Sequence, residues 1–234
     1  MGRTTKTFRW CVDCFDQIRI ATVLAWFSAI AILWTGLLIL KAYPFYFPPN
    51  FELGFLRGRE LYFHGIYGIA FYLHVVTTPL VLVFGLFQFN RRMRTRWPAI
   101  HRQMGKVYVG LVLACVAPSG LVMALRAPYG YVAISGFAVL SVATWIATLM
   151  GWKRAVGGRI QSHMQWMWRS YLLICSAVLL RILSVAATDL HLTAATAYPI
   201  AAWASWLPSL VVFETITRLK GTKKLSNVSV SRRR

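Results

Sequence analysis

Six long windows of the chain are almost free of charge, and short basic segments separate them. Residues 20–40 lie between Arg19 and Lys41, residues 61–90 between Glu60 and Arg91, and residues 107–125 between Lys106 and Arg126. Residues 127–152 run on to Lys153, residues 170–188 are interrupted only by Arg181, and residues 192–213 end at Glu214. Each window supplies roughly the 20 apolar residues that a helix needs to cross a bilayer core. The pattern predicts an all-α polytopic membrane protein, a bundle of six transmembrane helices over residues 20–217. A basic N-terminal segment (1–19) would precede the bundle and a basic, disordered tail (218–234) would follow it. Pro79, Pro118 and Pro208 fall inside windows, where packed neighbours tolerate a kink.

Composition agrees with lipid as the solvent. Of 234 residues, 58% are hydrophobic and 14% charged, against about 25% charged in a typical soluble domain. The net charge of +20 could suggest nucleic acid, but a nucleic-acid binder clusters its basic residues along one folded face. Here they sit between apolar windows, where they set orientation and meet anionic lipid. Of the 26 Lys and Arg residues, 21 fall on one side of the predicted bundle. Positive-inside bias puts that side, with both termini, in the cytoplasm of a multi-pass inner-membrane protein. The four cysteines imply no disulfide framework, and Cys11-Val-Asp-Cys14 lacks the further ligands that a zinc site requires.

Chemistry must then come from few residues. All six acidic side chains lie at or beyond the ends of the windows, which argues against carboxylate proton relays and against two-His-one-carboxylate iron. Five histidines occur. His101 opens the third span as His-Arg-x-x-Gly (His101, Arg102, Gly105), and His163 opens the fifth as His-x-x-Trp-Met-x-Arg (His163, Trp166, Met167, Arg169). Both belong to cytoplasmic ends of parallel helices. Two imidazoles from two helices could be the axial ligands of haem b iron, with Arg92, Arg102 and Arg169 meeting propionates and Gly105 leaving room for a flat ligand. The ordinary alternative is interfacial histidines bonded to loops or headgroups. His74 lies roughly 15 Å into the second span, with Gln88 close to the same face, and Arg181 lies roughly 10 Å below the outer end of the fifth. Intramembrane ionisable residues of this kind suggest a site in the outer half of the bundle, for haem, quinone or an anion; a snorkelling arginine and a histidine bonded to a neighbouring helix are the plainer readings.

These residues also carry a resemblance. His74, Gln88, the His101-Arg102-x-x-Gly105 start, the His163-x-x-Trp166-Met167-x-Arg169 start, Arg181 and Trp206 resemble the pattern of a large family of bacterial predicted membrane proteins, catalogued as a domain of unknown function. The resemblance covers roughly residues 74–206 and implies a fold without an activity. By architecture the histidines are also similar to those of small two-haem membrane cytochromes. The expectation is a membrane redox protein of the b-type cytochrome kind, binding haem, quinone or both. The alternatives are an accessory subunit of a larger membrane complex, or a small transporter or lipid-binding protein.

Overall fold

The computed structural model describes residue 30 and residues 33–52 and 54–231, with side-chain placement described up to residue 219 except at 91. The chain divides into two compact units, Met1–Arg57 and Gly58–Arg234. In the first, residues 33–42 form helix α1, followed by a 3-10 turn at Tyr43–Phe45 with Pro44 in its opening positions. The Asn50 amide closes this turn on the Phe45 carbonyl (2.8 Å). Most of the first expected span, including Cys11 and Cys14 ahead of it, lies outside the described residues.

The second unit contains five helices long and apolar enough to cross a membrane: α2 (Ile66–Phe89), α3 (Pro98–Ala124), α4 (Tyr131–Val156), α5 (Ile160–Asp189) and α6 (Ala194–Leu219). They correspond to the second to sixth windows, and among the described residues there is no strand. The protein is an all-α polytopic membrane protein. Glycines punctuate its turns: Gly65 (φ +84°) releases the chain into α2 and Gly130 (φ +90°) into α4, a left-handed backbone that side chains with a Cβ resist. Pro98 starts α3, where its missing N–H costs nothing.

Helix α2 shows how lipid replaces water in the pattern. Ile66, Ile69, Leu73, Val76, Leu80, Val83 and Phe87 recur every three or four residues and all are exposed. That stripe is apolar because its solvent is hydrocarbon. The opposite face buries Tyr67, Ala70, Phe71, Thr77, Val81, Leu82 and Gly85. Both faces are apolar, as expected of a helix in a membrane; the inner one is distinguished by small and polar residues.

Packing depends on glycine seats. A Cβ on Gly85 of α2 would overlap the Tyr171 ring of α5, and one on Gly151 of α4 would lie 2.5 Å from the Met167 sulfur of α5. On Gly136 of α4 it would lie 3.0 Å from the Trp203 indole of α6. Small residues let large ones approach the backbone, which is how membrane helices gain dispersion energy when burial from water no longer drives them together. Trp203 also donates its indole N–H to the Val132 carbonyl (3.0 Å). Helix α4 pairs most extensively with α5, and also packs on the last turns of α3 and the first half of α6.

Three helices are tied by hydroxyls. Tyr108 of α3 meets the Ser170 hydroxyl of α5 (2.9 Å), which meets Thr148 of α4 (2.7 Å), and Thr148 donates to the Thr144 carbonyl (2.8 Å). Tyr108, Ser170 and Thr148 are buried, so every hydroxyl needs the next. At the opposite end the buried Arg59 donates to the Tyr62 and Tyr67 hydroxyls (3.2 and 3.3 Å) and the Arg126 carbonyl (3.4 Å). Helix α5 is interrupted at Cys175 and α6 near Ser205 and Trp206. The second part of α6 continues as backbone helix to Ser231, past the boundary expected at 217; no proline lies after Pro208 to stop it.

Tyr108→Phe and Thr148→Val should each lower stability in detergent by about 0.5–1.5 kcal/mol, the scale of interhelical hydrogen bonds in membranes. The double variant should lose less than the two singles together, because they share Ser170. Strict additivity in thermal unfolding would mean that the chain is not coupled.

Candidate functional site

Two polar clusters lie within the bundle. The first lies at its basic end, where α2 stops, α3 starts and α5 starts. The Asn90 side chain accepts the Arg92 amide (2.8 Å) and turns the chain into the short helix Arg91–Arg96. Trp97 then leads into α3, whose first turn carries His101. The loop at Gly157–Arg159 reverses the chain with Gly158 at φ +69°, and α5 brings His163 to the same end.

His163 is held firmly. Its Nδ1 lies 2.9 Å from the Gly151 carbonyl. A carbonyl only accepts, so Nδ1 carries the hydrogen and, in the neutral ring, Nε2 keeps the lone pair. The same Gly151 seats Met167 one turn further along α5. His101 is close enough to His163, Arg94 and Arg102 for their charges to act on it. The Nδ1 of His101 is buried without a hydrogen-bond partner, and so is the Nε2 of Gln88. Gly105 explains where Gln88 goes: a Cβ there would lie 3.4 Å from the Gln88 Oε1. The room beside Gly105 is filled by that amide, which sits one turn from His101 on α3.

The arginines divide. Arg102 and Arg92 are exposed near this end. Arg94, not singled out from the sequence, reaches the Met164 sulfur (3.6 Å) and ties the α2–α3 connection to α5. Arg169 is engaged by the Glu214 carboxylate of α6 through two bonds, Nε to Oε1 (2.5 Å) and Nη2 to Oε2 (2.9 Å). It also lies over the rings of Trp166 (4.7 Å) and Phe213 (5.4 Å). Arg169 is therefore a tie between α5 and α6, and a propionate would have to displace a bidentate carboxylate to use it.

The second cluster is deep. His74 of α2 places Nδ1 3.2 Å from both the Val116 carbonyl and the Ser119 hydroxyl of α3. Val116 closes a π-helical turn, Val112–Val116, in which the Ala117 amide bonds back to the Val112 carbonyl. Pro118 follows and lacks the N–H that would have bonded Ala114, so the wide turn accommodates a break in the ladder. Such turns often mark functional positions in helices. Gly120 clears the ring: a Cβ there would lie 3.2 Å from His74 Cε1. Arg181 of α5 donates to the Ala177 carbonyl (2.8 Å), and its charge acts on His74.

The structure thus brings His101, His163, Gln88 and Gly105 to one end and His74 with Arg181 to another place. It leaves His64 and His191 exposed at the end opposite the basic one. Cys115 and Cys175 are half-buried free thiols. Among the described residues no three His, Cys, Asp or Glu side chains gather into a metal site. Sequence reasoning missed Arg59, Arg94, the Glu214 partner of Arg169 and the backbone role of Gly151.

Glu214→Gln should destabilise the protein by about 1 kcal/mol, a value discounted because both side chains remain partly accessible. The loss should shrink in high salt. Equal thermal midpoints for the variant and the parent at low salt would remove the tie from the account.

No curated protein and no solved structure matches the chain. Residues 71–217 match the family of predicted membrane proteins designated DUF2306, a stretch that begins inside α2, ends in α6, and contains His74, Gln88, His101, His163, Arg169 and Arg181. With most of its length inside that match, the chain belongs to this family of predicted membrane proteins, whose function is unknown.

Proposed function

We propose that the protein is a membrane redox protein of the b-type cytochrome kind, with haem iron held between His101 and His163. One observation carries the reading. Two histidines from different helices come together at the basic end, where the charge of His163 reaches His101, and His163 is oriented by a carbonyl that leaves its Nε2 lone pair unused. Histidine ligands of metals characteristically donate their other ring N–H to a carbonyl or carboxylate, which fixes tautomer and direction.

The donor count favours haem over a bare ion. Two imidazoles alone leave a zinc or iron ion short of ligands, whereas a porphyrin contributes four nitrogens and asks the protein only for axial ones. Arg94 and Arg102 would neutralise propionates from the His101 side. The buried, unpartnered Nδ1 of His101 and Nε2 of Gln88 are donors or acceptors that a bound polar group would satisfy, since leaving them unpaired is costly. The haem would supply one-electron chemistry; the chain's own residues would hold it and screen it from water. The same reading places the basic end in the cytoplasm, next to anionic headgroups.

Protein expressed with ample haem should give b-type bands in reduced-minus-oxidised spectra. His101→Ala and His163→Ala should abolish them, while His191→Ala, at an exposed site, should leave them intact. A folded, colourless parent protein would end the haem reading. Reporter fusions should read cytoplasmic after Gly157 and external after Tyr129; the reverse pattern would invert the orientation.

A further inference from the structure

We propose that Gln88 of α2 is the positioning residue of His101: its side-chain oxygen accepts the Nδ1 hydrogen and so presents Nε2 to the iron. The proposal rests on the haem reading for the iron alone; the hydrogen bond is argued from the packing of α2 on α3.

The packing brings the two side chains together. Helix α2 lies against the first half of α3, and Gly105 of α3 is where the Gln88 side chain arrives. A Cβ there would lie 3.4 Å from Gln88 Oε1 and 3.9 Å from its Cδ. The amide therefore occupies the place of a Gly105 side chain. On a helix such a side chain leans toward the N-terminus and covers the turn before its own Cα. For Gly105 that turn begins at His101, four residues earlier on the same face and about 5–6 Å away between Cβ positions. The amide thus lies over the turn that carries the imidazole.

The atoms that remain are complementary. Gln88 Nε2 and His101 Nδ1 are both buried without a hydrogen-bond partner, which is costly for each. An amide carries its oxygen and its NH2 group on opposite sides of one bond, so half a turn about that bond exchanges them with no shift of backbone. With Nε2 of His101 given to iron, Nδ1 must carry the ring hydrogen. The oxygen that takes it is Gln88 Oε1, brought round from Gly105. The opposite pairing, an amide N–H donated to Nδ1, would put the hydrogen on Nε2 and remove the lone pair that iron requires. His163 is set in the same way by the Gly151 carbonyl at 2.9 Å, and ligating histidines characteristically give their other N–H to an oxygen. A backbone oxygen orients one ligand and a side-chain oxygen the other. Only the second is open to substitution.

The test uses the full chain in detergent with nitrogen-15-labelled histidine, read by NMR first without haem and then with it. His101 resonances are assigned by their loss in His101→Ala. Without haem, at about pH 8 where an ordinary imidazole is neutral, the parent should show the His101 hydrogen on Nδ1, a readout that needs no variant. Gln88→Met keeps the bulk and removes the acceptor. It should lose the Nδ1 preference of His101, while the His163 hydrogen stays on Nδ1 and shows that the fold is intact. Gln88→Glu should restore the preference. With haem, Gln88→Met should bind it about 10–100-fold more weakly than the parent. Its reduction potential should lie above that of Gln88→Glu, because a stronger acceptor on Nδ1 makes the ligand more basic. A parent that takes no haem yet loses the His101 tautomer in Gln88→Met would end the haem reading and leave the Gln88 bond standing. A His101 tautomer unmoved in Gln88→Met, a parent with the hydrogen on Nε2, or equal haem affinity in parent and Gln88→Met would each overturn the proposal, the last with the haem reading intact.

Discussion

A bilayer has no water to offer a buried N–H or O–H, and this constraint organises the bundle. Every polar side chain that enters it must be answered by another helix or by a backbone carbonyl. The answers are specific: Tyr108 to Ser170 to Thr148 across three helices, His163 to the Gly151 carbonyl, His74 to the Val116 carbonyl, Tyr171 to the Leu82 carbonyl (3.1 Å). Apolar contacts alone would allow helices to slide or rotate, because lipid tails compete for them on equal terms. The polar pairs remove that freedom. They fix α3, α4 and α5 in one register, and the candidate sites are built at the two ends of that fixed unit.

The same constraint explains why polar atoms without partners stand out. Gln88 Nε2 and His101 Nδ1 are among the buried polar atoms without a partner, with the hydroxyls of Thr35, Thr78 and Ser205. The first two lie a turn apart in space around Gly105, at the end where His163 arrives. Family membership brings no activity with it, so the chemistry has to be read from these atoms.

Much of the architecture was legible because length and apolarity are properties of composition. The windows over 61–90, 107–125, 127–152, 170–188 and 192–213 each contain the apolar body of a helix. Two of their starts were placed too late. Helix α3 begins at Pro98 and α5 at Ile160, between about two and a half and three turns before the uncharged stretch. Basic and polar residues at an interface extend a helix beyond the hydrocarbon without entering it. His101 and His163 therefore sit in the first turns of their helices, ahead of the uncharged stretches. The joint depth of His74 and Arg181 followed from counting residues. Tertiary facts did not. Glu214 looks like the end of a window, and only the fold reveals that it faces Arg169, 45 positions away. Arg59 looks like an outer-loop charge, yet it is 7% exposed and bound among tyrosines. Gly151 is one glycine among 16, and its carbonyl has no sequence signature at all.

The π turn of α3 bears on how the protein tolerates a change in chain length. A turn closed by a bond to the fifth residue instead of the fourth holds one residue more than a regular helix needs. Deleting a single residue between 112 and 116 would let α3 become an unbroken helix, a change that looks harmless locally. Five residues in the wide turn rotate the chain about as far as four in a regular helix, so the two halves of α3 would keep their faces. Tyr108 would still face Ser170, and Gly120 would stay beside His74. The damaging change is the opposite one: an extra residue elsewhere between Tyr108 and Ser119, with no second wide turn to absorb it, would rotate one half of the helix by about 100° against the other. The π turn is thus the place in α3 where chain length can change while both ends of the bundle keep their partners.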